Sequence, residues 1–320
     1  MKKEVLITRG IFPEVIEALA VRFEVELNVE DRPWPPEELV RRLQGKSGAM
    51  ATVMDRFDAA VLAQCHELEV ISNIAVGYNN IDVHACTKRG IRVTNTPGVL
   101  DDTTADLTWA LLMAAARRIA EGDTYVRAGD WKIAFGVQYF LGQDTHHATL
   151  GIIGMGRIGQ ALSRRALGFD MRVLYHNRSH LPEADEQRLN ATRVERDELL
   201  RQSDFVVVMA PYSPATHHLI GAAEIAKMKP NAILVNCARG GIVDDAALVE
   251  ALTAKRIAGA GLDVFEGEPT VHPGFLGLRN VVMTPHIGSA SRATRLKMCM
   301  LAADNMAAVL EGREPPNPVN

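Results

Sequence analysis

Little cysteine, no long apolar run and almost no imbalance of charge mark this sequence, and each shortage excludes a class of protein. The four cysteines, Cys65, Cys86, Cys237 and Cys299, form no CxxC pair, so neither a thiolate zinc site nor a disulfide framework is indicated. They read as small buried hydrophobes in a reducing compartment, which predicts a cytoplasmic protein. The apolar run from Leu107 to Ala116 stops at Arg117-Arg118, well short of the roughly 20 residues a membrane span needs. Val5-Leu6-Ile7, after Lys2 and Lys3, is too short for a signal-peptide core and reads as a first strand. Lysine plus arginine number 35 against 39 aspartates plus glutamates, a net charge of -4, which gives no general drive toward polyanions and argues against nucleic acid as the main partner. HExxH is absent, and the adjacent pairs His146-His147 and His217-His218 would not share a face on a helix or strand, so no metal is expected.

What remains is 320 residues, 47% hydrophobic and 23% charged, the balance of a folded globular chain. At about 100 to 200 residues per domain, that length predicts two domains. Short β-branched runs alternate with helical stretches: EVLIT (4–8), FEVEL (23–27), GAMATVM (48–54), LEVISNIA (68–75) and IRVTN (91–95). Such alternation marks βα units in a parallel sheet. From about Thr103 strong helix formers continue to Gly129, predicting one long helix, followed by the aromatic and glycine-containing loop DWKIAFGVQYFLGQDTHH. A second series then runs through TLGII (149–153), MRVLY (171–175), FVVVM (205–209), AILVN (232–236), AGAGLDV (258–264) and VVMTP (281–285), six apolar runs expected to be parallel strands buried on both faces. Helices are expected between them near 158–167, 196–202, 223–228 and 244–254. A closing helix after Ser289 is placed to return to the first domain, and Pro315, Pro316 and Pro318 end the chain in an extended tail. The expected fold class is therefore α/β with two doubly wound parallel-sheet domains, residues 1–99 plus 288–320 enclosing a domain of residues 100–287.

Immediately after TLGII stands Gly154-Met155-Gly156-Arg157-Ile158-Gly159, a GxGxxG that opens a helix. Glycine is needed at the tight turn, at the approach to a pyrophosphate and at the helix–strand contact, while the helix N-terminus attracts the phosphate charge. Strand, glycines and helix in this order predict dinucleotide binding. The usual acid about 20 residues on, which would accept the adenosine ribose hydroxyls, is missing: the second strand runs out at Tyr175-His176 and continues as Asn177-Arg178-Ser179. A carboxylate there would repel a 2′-phosphate, whereas an arginine with a neighbouring amide and hydroxyl would bind it. NADPH is expected, with NADH second.

Three further residues follow expected strand ends, where a doubly wound sheet places its ligands: Arg239 in VNCARGG, Glu268 in GLDVFEGEP and His286 in VVMTPHIGS. Hydride transfer to a carbonyl calls for a cation to hold a substrate carboxylate and polarise the carbonyl, and for a proton donor. Arg239 and His286 supply those types. Glu268 would orient the imidazole and favour its protonated form.

With these residues assembled, GMGRIG, NCARGGIVDDAAL, AGLDVFEGEP and TPHIGSAS together resemble the D-isomer-specific 2-hydroxyacid dehydrogenase family over nearly the whole chain, and most closely its glyoxylate and hydroxypyruvate reductase branch, which includes 2-ketogluconate reductases. The resemblance implies a Rossmann cofactor domain inserted in a flavodoxin-like substrate domain and an NADPH-preferring reductase of small 2-ketoacids. By the same resemblance His286 is the acid/base, Glu268 its partner and Arg239 the substrate-binding arginine. The amides of Val76 and Gly77, in NIAVGYNNID, would bind the substrate carboxylate, and closure of a hinged cleft would bring them and His286 onto one substrate. Asp263 would hold the nicotinamide carboxamide and Thr104 would lie near the phosphates. Pro211 and Thr216 would border the adenosine, with Ala238 and Gly288 completing the cofactor contacts. Asn79 replaces the family's usual aspartate, Asp106 stands where glutamate is common, and TVHPGFLGLRN is shorter than the usual loop before the histidine. In such proteins the segment of Trp131, Phe135, Tyr139 and Phe140 reaches over a second subunit, which implies a homodimer. Two other functions fit the same fold, a corepressor-like dinucleotide sensor and a short-form D-3-phosphoglycerate dehydrogenase. The first is disfavoured because the chain carries no extra terminal segments for protein contacts; for the second, 320 residues leave no room for the C-terminal regulatory domain that many such dehydrogenases carry, so only a short form fits.

Overall fold

Strands of four or five residues that are apolar on both sides can only be buried inside helical layers, and that is how both halves of the chain are built. The computed structural model describes residues 2–320 and divides into two units, residues up to 100 with 290–320, and residues 101–289. In the first unit β1 (Glu4–Ile7), β2 (Glu24–Leu27), β3 (Gly48–Ala51), β4 (Val70–Asn73) and β5 (Arg92–Thr94) form a parallel sheet in the order β2-β1-β3-β4-β5. Alternation sends Val5, Ile7, Met50 and Val70 to one face and Leu6, Ala49, Ala51, Ile71 and Val93 to the other. The helix Arg292–Leu310 covers the first face with Cys299, Ala302, Ala303, Met306 and Ala307. It therefore returns to the first sheet, as its position after the last strand led us to expect. Beyond it the tail pairs with β5 through an antiparallel bridge between Thr94 and Pro318 and a Val319 N–H to Val93 carbonyl bond of 2.8 Å.

The second unit holds a seven-stranded parallel sheet of β6 (Thr149–Ile153), β7 (Arg172–His176), β8 (Ala191–Arg193), β9 (Phe205–Val208), β10 (Ile233–Asn236), β11 (Gly259–Leu262) and β12 (Val281–Met283). Its order is β12-β11-β10-β9-β6-β7-β8. The chain winds outward from β6 to β8 and then crosses to β9, so the order reverses between β6 and β9. Ligands of open α/β sheets bind outside the strand ends at such a point.

Three expectations are corrected. Six strands were read where seven exist: β8 is three residues of mixed polarity on the sheet edge, which carry no apolar run. The helix Glu183–Leu189 before it was also missed. The single long helix is two, Asp101–Ala116 and Ile119–Arg127, with Arg118 in the left-handed region at φ 52°. The break is made from a distance, because the Ala116 carbonyl accepts from the Gln143 amide at 2.9 Å and the Arg118 guanidinium turns to Glu121 and over the Phe140 ring. Among the described residues no helix is long and apolar enough to cross a membrane.

Candidate active site

The glycine turn lies at the β6/β9 reversal, and its three glycines meet three different constraints. Gly154 has φ 103°, and a Cβ there would lie 2.5 Å from the Ala210 nitrogen. A Cβ on Gly159 would lie 2.6 Å from the Gly154 carbonyl oxygen, so the helix Arg157–Leu167 could not approach the turn. At Gly156 a Cβ would meet nothing within 4 Å. The first and third glycines thus serve the fold, while the second leaves open room beside first-turn amides that have no intrahelical acceptor. Such a cradle fits a dinucleotide diphosphate. Met155 and Ile158 pack toward the core of this unit, and Arg157 opens the helix.

Asn177 closes the turn from β7. Its Oδ1 accepts from the Met155 amide at 2.7 Å and its Nδ2 faces the Met155 carbonyl at 3.4 Å. Arg178 and Ser179 are exposed, and among the described residues Arg178 makes no ion pair. The asparagine of the segment is thus structural as well as a candidate ligand. Thr216 Oγ1 donates to the Pro211 carbonyl at 2.9 Å and accepts from the Ser213 amide at 2.7 Å, fixing the loop that follows β9.

The strand ends of β10, β11 and β12 bring Arg239, Glu268 and His286 together. His286 Nδ1 lies 2.7 Å from Glu268 Oε2, and the other carboxylate oxygen accepts from the Phe265 amide at 2.8 Å. Burial, the largest influence on the Glu268 carboxyl, pushes it up. The hydrogen bond and charge of His286, the Phe265 amide and the Arg239 charge push it down and prevail, so it sits below its ordinary 4.5. An ionised Glu268 accepts, which makes Nδ1 the donor and leaves Nε2 as the ring nitrogen free for other chemistry. Asn236 sets the preceding turn by accepting from the Ala238 amide and donating to the Arg239 carbonyl, both at 3.1 Å. One terminal nitrogen of Arg239 donates to the Ala238 carbonyl at 2.7 Å, while its Nε is buried without a partner. Burial lowers the guanidinium below its ordinary value, against the pull of Glu268. A buried donor of this kind is costly to leave unmet, and a ligand carboxylate would meet it.

His286 itself is in the left-handed region at φ 53°, a conformation that costs about 1–3 kcal/mol and persists only where the surroundings over-determine it. Asp263 does so here. The residue is 1% exposed, and its backbone carbonyl accepts from the His286 amide at 3.0 Å. Its Oδ1 accepts from Thr284 Oγ1 and the Ile287 amide at 2.6 and 2.8 Å, and its Oδ2 from the Gly288 amide at 2.8 Å. Burial raises its carboxyl in spite of these bonds. A Cβ on Gly288 would sit 3.3 Å from Asp263 Oδ2 and 3.4 Å from Thr104 Cγ2, so Thr104, at the start of the helix Asp101–Ala116, borders the same turn.

In the first unit, Val76 and Gly77 follow β4. Among the described residues neither amide has an acceptor, while the carbonyls around them are held: Ala75 accepts from the Thr96 amide at 2.9 Å, Val76 from Asn95 Nδ2 at 2.8 Å and Gly77 from Asn73 Nδ2 at 2.8 Å. In a trans peptide the N–H points away from the preceding C=O, so Thr96 aims the Val76 amide and Asn95 aims the Gly77 amide.

Sequence reasoning missed several contributors. Gly240 lets the Phe265–Glu266 peptide pack on the Arg239 turn, since a Cβ there would lie 1.8 Å from the Phe265 oxygen, and buried Asp245 holds the Glu266 amide at 3.0 Å. Arg193 reaches the carbonyl of Asn177. Only the first had a signal, a doubled glycine after the arginine. His217 and His218, in a loop where helix and strand parity do not apply, stack at 3.9 Å between ring centroids. With Glu266 they bring one potential ligand atom each within 4.8 Å of one another.

Known proteins are similar to this chain along its whole length. The model for the D-isomer specific 2-hydroxyacid dehydrogenase NAD binding domain matches residues 109–288. A glyoxylate reductase of Thermococcus gammatolerans is 47% identical over 323 residues, covering 100% of this chain and 96% of the relative. Among solved structures, a protein of Thermus thermophilus is similar with a TM-score of 0.92 at 46% identity, covering 99% of this chain and 100% of the other. An NADPH-dependent glyoxylate/hydroxypyruvate reductase of Sinorhizobium meliloti, solved with NADP and malonate, is similar with a TM-score of 0.89 at 32% identity, covering 100% and 97%.

Proposed function

Since the chain belongs to the D-isomer specific 2-hydroxyacid dehydrogenase family, we propose that it reduces small 2-ketoacids to D-2-hydroxyacids, glyoxylate and hydroxypyruvate first and 2-ketogluconate next, with NADPH preferred and NADH second. The observation that carries this reading is the 2.7 Å contact of His286 Nδ1 with an ionised Glu268, next to an arginine whose buried Nε has no partner. Bound dihydronicotinamide would supply the hydride. Arg239 would hold the substrate carboxylate and polarise the keto group, and His286 would carry on Nε2 the proton that the carbonyl oxygen takes up. Glu268 would keep the ring oriented. The two unaccepted amides of Val76 and Gly77 support their assignment to the substrate carboxylate. Gly154 to Gly159, Thr104, Ala238, Asp263 and Gly288 are proposed on the cofactor's diphosphate and nicotinamide sides, and Asn177 to Ser179, Pro211 and Thr216 on its adenosine side.

The loop after Arg127 exposes Trp131, Ile133, Phe135, Val137 and Leu141, with Phe135 83% accessible, while Tyr139 and Phe140 pack with Tyr125. A patch of this kind supports a homodimer contact. Four unpaired buried cysteines support a cytoplasmic setting.

The test is cofactor consumption by the purified protein with glyoxylate, hydroxypyruvate, pyruvate and 2-ketogluconate, each with NADPH and with NADH. Turnover with the first two and a higher kcat/KM with NADPH is expected. No turnover with any of the four would favour a dinucleotide sensor. Replacing His286 with Gln is expected to slow turnover by about 10² to 10⁴, and an unchanged rate would remove it from the chemistry.

A further inference from the structure

Register places an arginine beside the cofactor segment that its position in the sequence does not announce. β8 pairs with β7 so that Arg193 lies opposite Tyr175, two residues before Asn177. From there Nε and one terminal nitrogen both reach the Asn177 carbonyl, at 3.3 and 3.1 Å. The other terminal nitrogen is 3.5 Å from His180 Nε2 and 3.7 Å from Glu195 Oε1. The side chain is 21% exposed, so its charge is held in one place at the surface, whereas Glu195 is 75% exposed. Of the five N–H groups of a guanidinium, these contacts leave donors over. Holding the Asn177 carbonyl also turns the Arg178 amide the opposite way across the peptide. The other carboxylate near the segment, Glu186, is taken by the Tyr175 hydroxyl at 2.5 Å.

We propose that Arg193, with Arg178 and Ser179, forms a subsite for the 2′-phosphate of a phosphorylated adenosine, and that Arg193 sets the preference for the phosphorylated cofactor. The inference rests on the NADPH reading and adds to it a residue from another strand. Arg178 brings an exposed charge that makes no ion pair among the described residues. Arg193 brings a charge already ordered by two bonds to the backbone, so less freedom is lost when the phosphate binds. Glu195 acts against the subsite.

The experiment is calorimetric titration of the full chain with 2′,5′-ADP and with 5′-AMP, which reads the subsite without turnover. The unsubstituted protein is expected to bind 2′,5′-ADP more tightly. Arg193→Ala is expected to weaken 2′,5′-ADP by about 10- to 100-fold, the range of one or two charge-assisted hydrogen bonds, and to leave 5′-AMP within about twofold. Arg193→Lys, which keeps the charge and loses the fork, is expected to fall between, and Glu195→Gln to tighten 2′,5′-ADP alone. These last two variants carry the test if Arg193→Ala does not fold. Equal ratios of the two affinities in the protein and all its Arg193 and Glu195 variants, with 2′,5′-ADP still preferred, would overturn the role of Arg193 while leaving the NADPH reading standing. No preference for 2′,5′-ADP in the unsubstituted protein would overturn both.

Discussion

Replacing Gly240 with Ala tests the link between the backbone and the acid pair. A Cβ at Gly240 would lie 1.8 Å from the Phe265 oxygen, 2.2 Å from its carbonyl carbon and 2.8 Å from the Glu266 nitrogen. None of these is the end of a flexible side chain, so the peptide itself must retreat by more than about 1 Å in a close-packed region. It cannot do so freely, because Asp245 Oδ2 holds its N–H at 3.0 Å. The same turn carries the Phe265 amide that binds Glu268 at 2.8 Å, and Glu268 reaches His286 at 2.7 Å. A displacement of about 1 Å in a supporting loop costs about 10² in rate, and overpacking costs about 1–3 kcal/mol of stability. Gly240→Ala is therefore expected to lower kcat by about a hundredfold and Tm by several degrees, with the Kd for cofactor little changed. Gly277, where a Cβ meets nothing within 4 Å, supplies the control: Gly277→Ala should leave both within error. Steady-state rates and calorimetric melting on the two variants decide the matter. A Gly240→Ala protein with the parental kcat and Tm would refute the claim that this peptide holds Glu268 in place.

The first and second glycines of the turn should respond differently. Gly154→Ala, with φ 103° and the Ala210 nitrogen 2.5 Å from the new Cβ, should destabilise the fold. Gly156→Ala should leave Tm unchanged and weaken cofactor binding by about tenfold or more, because its Cβ would enter the room proposed for the diphosphate; equal cofactor affinity would show that the diphosphate lies elsewhere. For pH, the Glu268 carboxyl is lower in the folded protein than its ordinary 4.5. The stability it contributes is present above that value and disappears as pH falls through the folded one. The Tm gap between the parent and Glu268→Gln should therefore be widest near neutrality and close in acid, and a gap that widens in acid would reverse the assignment.

The glycine turn, the five strands of the first sheet and six of the seven in the second were legible because their signals are local. Three glycines at fixed spacing after TLGII, and apolar runs such as FVVVM and AILVN buried on both faces, specify their own environment. Arg239, Glu268 and His286 were legible for a related reason: each follows a strand of a doubly wound sheet, and the carboxyl ends of parallel strands lie along one edge of the sheet. β8 was not legible, since three mixed residues on an edge need a neighbour to become a strand. The break at Arg118 was hidden because the group that takes the Ala116 carbonyl is Gln143, beyond the next helix.

Local sequence is enough to give the chemical groups that follow the strands and the place of the glycine turn after TLGII. Which groups face one another is a matter of the assembled fold: the Phe265 amide bonds Glu268 while Asp245 fixes the neighbouring Glu266 amide, Asp263 holds His286 in a left-handed conformation, and Arg193 lies against Asn177. The physical reason is that turn preference and strand burial depend on neighbouring residues, whereas a hydrogen-bond partner depends on sheet register and on the approach of loops from distant parts of the chain.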